Sequence, residues 1–377
     1  MLNILKRIFI LSLLYIFLKL ISNNNYSISN KRKLEEINTY SQITVTVVSN
    51  DSYINKNFTP QPYVEYGENN SIILKWNETI TDCSNMFFNT SINSIDLSKF
   101  DTSKVSSIEK MFMNCTNLIH FNLKNNNLSN VRTIEGIFAD CINLNNIIFE
   151  SIDFNELISI KEMFNNTKAN VNLSVEFINI NFKKLISFEG VFNSINSLRK
   201  IQFINITAFE LISMKEMFSN CYNLKNATFI NFNAPNLNSL EEMFSNCYSL
   251  INATFINFEA PNINTLKKMF DNCGNLTNIK LDGILQNINI SYIETMENMF
   301  NNCPIKNFSL ENITFFELIN MKNMFNKMYL QNITFKNLSF PKLLYIAPLI
   351  NMVSSVYCYY YPYYINITLR ILICLML

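Results

Sequence analysis

Histidine, glycine and tryptophan are scarce in this chain of 377 residues, which contains one His, five Gly and one Trp. A single histidine cannot supply several imidazole ligands to a zinc ion, and the chain shows no Ser/His/Asp order that this histidine could serve in a cleft. So few glycines argue against a glycine-rich phosphate loop. With 30 basic and 29 acidic residues, the balanced charge predicts no nucleic-acid partner. We therefore expect no catalytic residues, no cofactor and no metal site, and we expect the protein not to be an enzyme.

Phenylalanine, asparagine and apolar residues are abundant. The chain has 32 Phe, and 49% of its residues are hydrophobic, which is enough apolar material for a folded core. The high asparagine content is what an AT-rich genome would produce without any functional meaning. Motifs built on asparagine are therefore expected to arise often by chance.

A pair of apolar residues marks a repeat along most of the chain. Met217-Phe218 returns as Met243-Phe244 after 26 residues, and the residues between them repeat almost unchanged. A fixed period of this length is typical of a solenoid, in which each unit packs on its neighbours. Equivalent pairs are Met86-Phe87, Met111-Phe112, Ile137-Phe138, Met163-Phe164, Val191-Phe192, Met269-Phe270, Met299-Phe300 and Met324-Phe325.

The first half of each unit has a helical pattern. Met214, Met217, Phe218 and Cys221 fall at i, i+3, i+4 and i+7, which is one apolar face of a helix. Serine and glutamate three residues apart fit a capping box, which would place the start of this helix. The three pairs are Ser159–Glu162, Ser213–Glu216 and Ser239–Glu242.

The second half of each unit has a strand pattern. Ala227 and Phe229 alternate with polar residues, as in a strand with one buried face. The sequence thus predicts an α/β fold, a leucine-rich-repeat-like solenoid of about ten units of about 26 residues. Each unit would contribute one short strand to a parallel sheet and one short helix, with a small β cap at the N-terminus.

The chain divides into five stretches. Residues 1–22 join basic Lys6-Arg7 to an apolar run, which predicts a signal peptide or, without cleavage, a signal anchor. Residues 23–41 are a linker, residues 42–82 form a non-repetitive β cap with strands at 42–49 and 72–76, and residues 83–340 are the solenoid. Residues 341–377 are an apolar, aromatic tail, which is either a membrane-associating end or the remnant of an anchor. Its final apolar run of 13 residues is too short to span a bilayer.

Cysteine is the commonest residue three positions after the marker phenylalanine. A metal site, disulfides between neighbouring units and a buried ladder are three interpretations of this row. Thr167 and Ile195 in the same row favour the buried ladder, in which cysteine packs as a small hydrophobic residue. The predicted structural ladder is Cys115, Cys141, Cys221, Cys247, Cys273 and Cys303.

Two polar rows are expected on the outward face of the sheet, eight and ten residues after each marker phenylalanine. The first is rich in Asn and the second in Thr and Ser. His120 takes an Asn position on this open surface, so we interpret it as a surface residue and not as a catalytic base. The predicted binding face is His120, Asn122, Asn172, Ser174, Asn226, Thr228, Asn252, Thr254, Asn278, Lys280, Asn307, Ser309, Asn332 and Thr334.

Asn-X-Ser/Thr triplets along the chain would accept N-linked glycans in a secreted eukaryotic protein. In the alternative interpretation, stacked Asn and Thr side chains satisfy one another along the sheet. A glycan on every step of about 4.8 Å would be crowded, so full occupancy is not expected. The candidate sites are Asn57, Asn77, Asn172, Asn205, Asn226, Asn252, Asn307, Asn312 and Asn332.

One stretch carries a family resemblance. Residues 95–118, IDLSKFDTSKVSSIEKMFMNCTNL, resemble the repeat of BspA-like leucine-rich-repeat surface proteins of the mycoplasma and protist type. Residues 72–87 are similar to the opening segment of the protist members, and the likeness covers about residues 42–340. Later units replace the Asp-Thr-Ser-Lys-Val text, for example with residues 234–237, so the architecture carries over and the detail does not. The resemblance implies an adhesin or surface-recognition protein and transfers no catalytic residues.

From these features we expect a non-catalytic glycoprotein, secreted or at the cell surface, that acts in adhesion or ligand recognition through the polar sheet face. Its partner would be an extracellular protein or glycan, with membrane association through the termini and no nucleic acid. The alternative is a structural surface coat without a specific ligand. A remoter alternative is an enzyme with a site outside the repeats.

Overall fold

The computed structural model describes residues 41–47, 53–67, 70–167, 172–277, 292–328, 332–343 and 368–371. The predicted signal segment, almost all of the linker and most of the tail lie outside these residues. The described residues contain no α-helix. Their strands are β1 (Ser41–Val47), β2 (Tyr63–Tyr66), β3 (Ser71–Trp76), β4 (Ile92–Asp96), β5 (His120–Lys124), β6 (Asn146–Phe154), β7 (Leu173–Phe182), β8 (Leu198–Thr207), β9 (Asn226–Asn233), β10 (Asn252–Glu259), β11 (Asn307–Thr314), β12 (Asn332–Ser339) and β13 (Thr368–Ile371).

The first four strands form an antiparallel sheet in the order β2-β3-β1-β4. Both predicted cap strands are present, because alternating apolar residues such as Ile43 and Val45 point into the core. The Trp76 indole N–H donates to the Pro60 carbonyl at 2.9 Å, so the buried tryptophan is part of the core of this sheet. Strand β4 belongs to the same sheet, although it lies in the stretch that the sequence assigned to the repeats.

The solenoid is a parallel sheet of six strands in the order β10-β9-β8-β7-β6-β5. Equivalent residues of neighbouring units pair, so Phe229 lies between Phe203 and Phe255. Six strands correspond to about five turns, and the prediction of ten leucine-rich-repeat-like units was wrong. In the described residues, β11 and β12 form a separate parallel sheet with β13.

The predicted helix of each unit was also wrong. Residues 215–220 make successive turns, in which Ser219 N–H bonds to the Glu216 carbonyl three residues back. The intervening amide of Phe218 instead donates to Met243 of the next unit at 2.9 Å. Glu216 and Asn220 have positive φ angles of 53° and 61°, which a right-handed helix does not allow. Turns of this kind bury residues at spacings of three and four, so the apolar pattern imitates a helix.

The predicted capping boxes are turns that link neighbouring units. Ser213 Oγ accepts the N–H of Lys215 at 3.2 Å, and the amide of Glu216 donates to Glu241 in the next unit. The pairs at Ser159 and Ser239 show the same bond to the residue two positions on. A backbone bridge connects this polar position to the next unit, and bridges of this kind join Asp82, Ser107, Thr133 and Ser159, and then Ser187, Ser213, Ser239, Thr265, Thr295 and Asn320.

A left-handed residue bends each long strand. Asn231 has a φ of 52°, and the pairing of β9 with β10 passes from Ile230 directly to Phe232 without it. Asparagine tolerates this conformation better than most residues. Its amide donates to Asn205 Oδ1 at 2.7 Å and accepts from Asn257 at 2.8 Å, so side chains continue the hydrogen bonding at the bend. We name Asn179, Asn205, Asn231 and Asn257 the corner ladder.

The core is built from aromatic stacks that run along the solenoid. Phe218 stacks on Phe244 with ring centroids 5.3 Å apart, and Phe229 stacks on Phe255 at 5.0 Å. All four rings are buried. Burial of one such ring contributes roughly 1.5–3 kcal/mol, and stacking adds about 0.5–1.5 kcal/mol. The marker phenylalanines stack from Phe87 through Phe112, Phe138, Phe164, Phe192, Phe218, Phe244, Phe270 and Phe300.

From residue 161 onwards charge alternates along one row of the turns, whereas the earlier members Glu109 and Glu135 of that row carry like charges. Glu241 Oε1 lies 3.4 Å from Lys267 Nζ, and its Oε2 lies 4.0 Å from Lys215 Nζ. The groups are partly exposed, so each pair adds little stability. The row reads Lys161, Glu189, Lys215, Glu241, Lys267, Glu297 and Lys322.

Circular dichroism distinguishes this fold from the one that the sequence suggested. The purified protein is expected to give a β-type far-ultraviolet spectrum, because the described residues between 83 and 277 contain turns where helices were predicted. A helical spectrum of the strength that one helix per unit would produce contradicts the structure.

Replacement of Asn231 tests the bend. Asn231→Ala and Asn231→Gly both remove the amide, but only alanine pays for a positive φ. We expect Asn231→Ala to lower the free energy of unfolding by about 1 kcal/mol more than Asn231→Gly, after allowance for the entropy of glycine. Urea titration measures the difference, and equal losses would show that backbone strain is unimportant at this corner.

Candidate functional site

The strand pairing defines the outward rows of the sheet. The first outward row is His120, Asn146, Ser174, Lys200, Asn226 and Asn252. The second outward row is Asn122, Ile148, Glu176, Gln202, Thr228 and Thr254.

The prediction misplaced two residues. Asn146 pairs with Ser174, so Ser174 lies in the first outward row and Asn172 precedes β7. The lengthened spacing of this unit displaces the row by two residues. Asn172 is still exposed, and its Oδ1 accepts a hydrogen bond from Arg199 at 2.8 Å.

The two polar rows are best formed on β9 and β10. Asn252 Nδ2 donates to Asn226 Oδ1 at 2.9 Å, and both residues are exposed. Thr228 and Thr254 are half-buried neighbours whose hydroxyls make no side-chain hydrogen bond among the residues described. These hydroxyls and the Asn226 amide can therefore bind a ligand.

A third outward row was missed in the sequence; it carries Lys124 and Glu150 on β5 and β6 and is apolar from β7 to β10. Strand alternation continues beyond the threonines, so Ile230 and Ile256 also point outward. Ile256 is 48% exposed and lies on β10, at the edge of the described sheet. The signal was an isoleucine twelve residues after Phe192, Phe218 and Phe244, and fourteen residues after Phe164 in the lengthened unit. We name Ile178, Ile204, Ile230 and Ile256 the isoleucine row.

The charges on these three rows pair with each other. Lys200 Nζ lies 2.8 Å from Glu176 Oε1, and Lys124 Nζ lies 2.8 Å from Glu150 Oε1. His120 is exposed at the start of β5, opposite Asn146, and no nucleophile row adjoins it in the described sheet. The face therefore carries little net charge.

Other predicted face residues lie towards the C-terminus. Asn278 and Lys280 fall outside the described residues. Asn307 pairs with Asn332 and Ser309 pairs with Thr334 on β11 and β12, so both rows stay in register there.

The candidate glycosylation sites differ in their surroundings. Asn57 and Asn77 are exposed in loops of the cap region, while Asn312, Asn307 and Asn332 lie in β11 and β12. Asn205 belongs to the corner ladder and donates to Asn179 at 2.8 Å. Asn226 and Asn252 form a side-chain hydrogen bond to each other along the sheet, as expected if stacked polar side chains satisfy one another. This bond joins the two asparagines directly and does not involve Thr228 or Thr254.

The cysteine row is buried, and its thiols are free. The Cys247 thiol donates to the Phe218 carbonyl of the preceding unit at 3.1 Å. Burial raises the pKa of Cys115 to about 11 and of Cys221 to about 12, so both thiols stay protonated and unreactive at neutral pH. Equivalent thiol–carbonyl bonds are made by Cys115, Cys141, Cys221, Cys273 and Cys303.

A pocket of about 370 Å³ lies where the cap loop meets the first turn. This pocket is a candidate for the active site outside the repeats that the remoter alternative requires. Its lining has one carboxylate, Asp82, whose Oδ1 accepts the backbone N–H of Ser84 at 2.7 Å, and it has no histidine, cysteine or lysine. The lining residues are Asn55, Asn57, Phe58, Thr59, Asp82, Ser84, Asn85 and Phe88.

The described residues contain neither a cluster of metal-binding side chains nor a membrane-spanning helix. They contain no group of three or more His, Cys, Asp or Glu side chains that could hold a metal ion. They also form no helix with the length and apolar character that a membrane crossing needs.

The repeated turns agree with a known sequence family. The model of the Mycoplasma protein family of unknown function DUF285 matches residues 61–177 and 212–337, which is more than half of the chain. The chain belongs to this family. The matched residues run from the cap sheet into β7 and then from the turns before β9 to β12. No curated protein and no solved structure matches the chain.

Membership in this family supports a less detailed description of the protein than the resemblance to BspA-like proteins implied. The family and the parallel solenoid fit a repeat surface protein. They do not support a leucine-rich-repeat layout with one helix per unit, because the described units contain no helix. The family description names no activity.

Thiol alkylation tests the buried ladder. In a Cys358→Ser/Cys374→Ser variant, the seven described cysteines remain. We expect almost no labelling by a maleimide in the native protein and complete labelling in denaturant, because the thiols are buried and protonated. Rapid labelling of the native protein contradicts this arrangement.

The same thiols predict a loss of stability at alkaline pH. Above the usual thiol pKa of 9.0 the unfolded chain releases these protons, while folded Cys221 retains its proton until about pH 12. Stability from this group is complete below pH 9 and is lost as pH rises towards 12. The urea midpoint is expected to fall over this range, and to fall less in Cys221→Ser. Equal slopes in the two proteins contradict the assignment.

Proposed function

We propose that the protein is a non-catalytic surface protein that recognises an extracellular ligand through the outward face of β7–β10. Export and a place at the cell surface are part of this proposal. They rest on the N-terminal apolar segment of residues 1–22 and on the resemblance to BspA-like surface proteins.

The observation that carries the proposal is the repetition of the same hydrogen-bonding groups on an exposed face. Asn226 and Thr228 of β9 return as Asn252 and Thr254 of β10, one strand spacing away. Repetition lets a ligand make several weak contacts at once, which raises affinity without a deep pocket. An exposed parallel sheet face of this size is unusual, because such faces are normally covered.

A structural coat remains the second candidate, and an exposed apolar ridge favours it. Ile158, Ile186 and Ile212 occupy equivalent positions in three successive units and are 58%, 54% and 45% exposed. They lie in the turns, away from the polar rows. Apolar side chains repeated in this way suit lateral packing of many copies.

A binding experiment distinguishes recognition from a coat. The purified full chain is applied to an array of extracellular proteins and glycans, together with a variant that carries Asn226→Ala, Thr228→Val, Asn252→Ala and Thr254→Val. We expect selective binding by the parent and a loss of about tenfold or more in the variant, because several hydrogen bonds disappear together.

A matched control uses the turns. Asn238→Ala with Asn264→Ala changes two polar residues on another side of the same units and is expected to leave binding unchanged. Binding that survives the four-residue change, or an absence of selective binding by the parent, contradicts recognition by this face.

A further inference from the structure

The second outward row, the isoleucine row and the corner ladder lie side by side and make the outward face amphipathic from β8 to β10. The isoleucine row runs between hydroxyl groups on one side and amides on the other. Thr228 and Thr254 are in the second outward row, and Asn231 and Asn257 are in the corner ladder. A ligand that lies on this strip meets a line of methyl groups flanked on both sides by hydrogen-bonding groups.

The charge of the strip restricts the ligand. On the three outward rows of β5–β10, the charged side chains Lys124, Glu150, Glu176 and Lys200 form two ion pairs. No uncompensated cation is therefore available on these rows for a phosphate, sulfate or carboxylate polymer, and no uncompensated anion for a basic peptide. Charge complementarity favours a neutral ligand.

The repeat distance restricts it further. The rows run across the strands, so each step along a row is one strand spacing of about 4.8 Å. An extended peptide along the same line advances about 3.3 Å per residue and loses register within a few steps. A pyranose chain linked through opposite ring positions advances by close to one strand spacing per sugar. Each ring also has an apolar C–H face and hydroxyls around its edge.

We propose that the strip from β8 to β10 binds a neutral, linear polysaccharide that lies along the solenoid axis, with about one sugar ring for each unit. The inference rests on the proposed recognition function and names the ligand class. Ring C–H groups lie on Ile204, Ile230 and Ile256. Ring hydroxyls bond to the hydroxyls of Thr228 and Thr254 and to the amides of the corner ladder.

The test is a calorimetric titration with oligosaccharides of increasing length. The full chain is titrated with β-1,4-linked glucose and N-acetylglucosamine oligomers from disaccharide to octasaccharide, and with oligogalacturonate as the charged counterpart. We expect affinity to rise with length until the strip is filled and then to level off, with no binding of oligogalacturonate. Absence of binding by every neutral oligomer overturns the proposal, as does an affinity that is independent of length.

Two variants locate the bound sugar. Thr228→Val with Thr254→Val keeps the shape and removes two hydroxyls, so binding is expected to weaken by about tenfold. The matched control Thr207→Val removes a hydroxyl from β8 beyond the corner and is expected to bind as the parent does. Circular dichroism confirms that each variant is folded. Equal affinities of the three proteins overturn the site.

The outcomes separate this inference from the function on which it rests. If the array ligand is a protein or a charged polymer and its binding is lost in the four-residue variant, recognition by the face holds and the polysaccharide proposal is wrong. If no array ligand or oligosaccharide depends on the face, both are wrong.

Discussion

Every part of the solenoid depends on backbone hydrogen bonds between one unit and the next. They occur in the strands, and they also occur in the turns, where the amides of Phe218 and Asn220 donate to the following unit at 2.9 and 2.8 Å. Equivalent residues are thereby held about one strand spacing apart. Each side chain must tolerate a copy, or a near copy, of itself as its neighbour. Phenylalanine stacks, asparagine both donates and accepts, and serine or threonine binds its own turn, so these residues dominate the repeat.

This constraint explains how much of the fold could be predicted from the sequence. The period, the parallel strands and the burial of Met217, Phe218 and Cys221 follow from the pattern of apolar residues. The helix does not, because spacings of three and four also arise from successive turns. The evidence against a helix was the asparagine two residues after the marker phenylalanine, as at Asn220 and Asn246. Asparagine is enriched in the left-handed region, and a single residue there ends a right-handed helix.

The candidate site could be predicted in part for the same reason. Counting from the marker phenylalanine places Asn226, Thr228, Asn252 and Thr254 correctly, since those units have the regular length. It misplaces Asn172, because an insertion shifts the count without changing the type of residue. The isoleucine row was missed because the alternation was followed only as far as Phe229, whereas it continues outward at Ile230 before the corner at Asn231. Side-chain contacts, such as the bond from the Cys247 thiol to a carbonyl, require three-dimensional coordinates.

The alternating row of charges has a consequence for how the chain reaches its native register. Strands β9 and β10 share the text NATFINF, so pairing a strand with the wrong member of the array would preserve most apolar contacts. A slip by one unit would, however, bring Lys215 beside Lys267 and Glu241 beside Glu297. Like charges in adjacent positions are destabilising, whereas the native order places opposite charges together. The row of charges adds little to the stability of the folded state, but it destabilises states in which the strands are displaced by one unit. Repeats that are nearly identical in their core thus remain distinguishable at their surface.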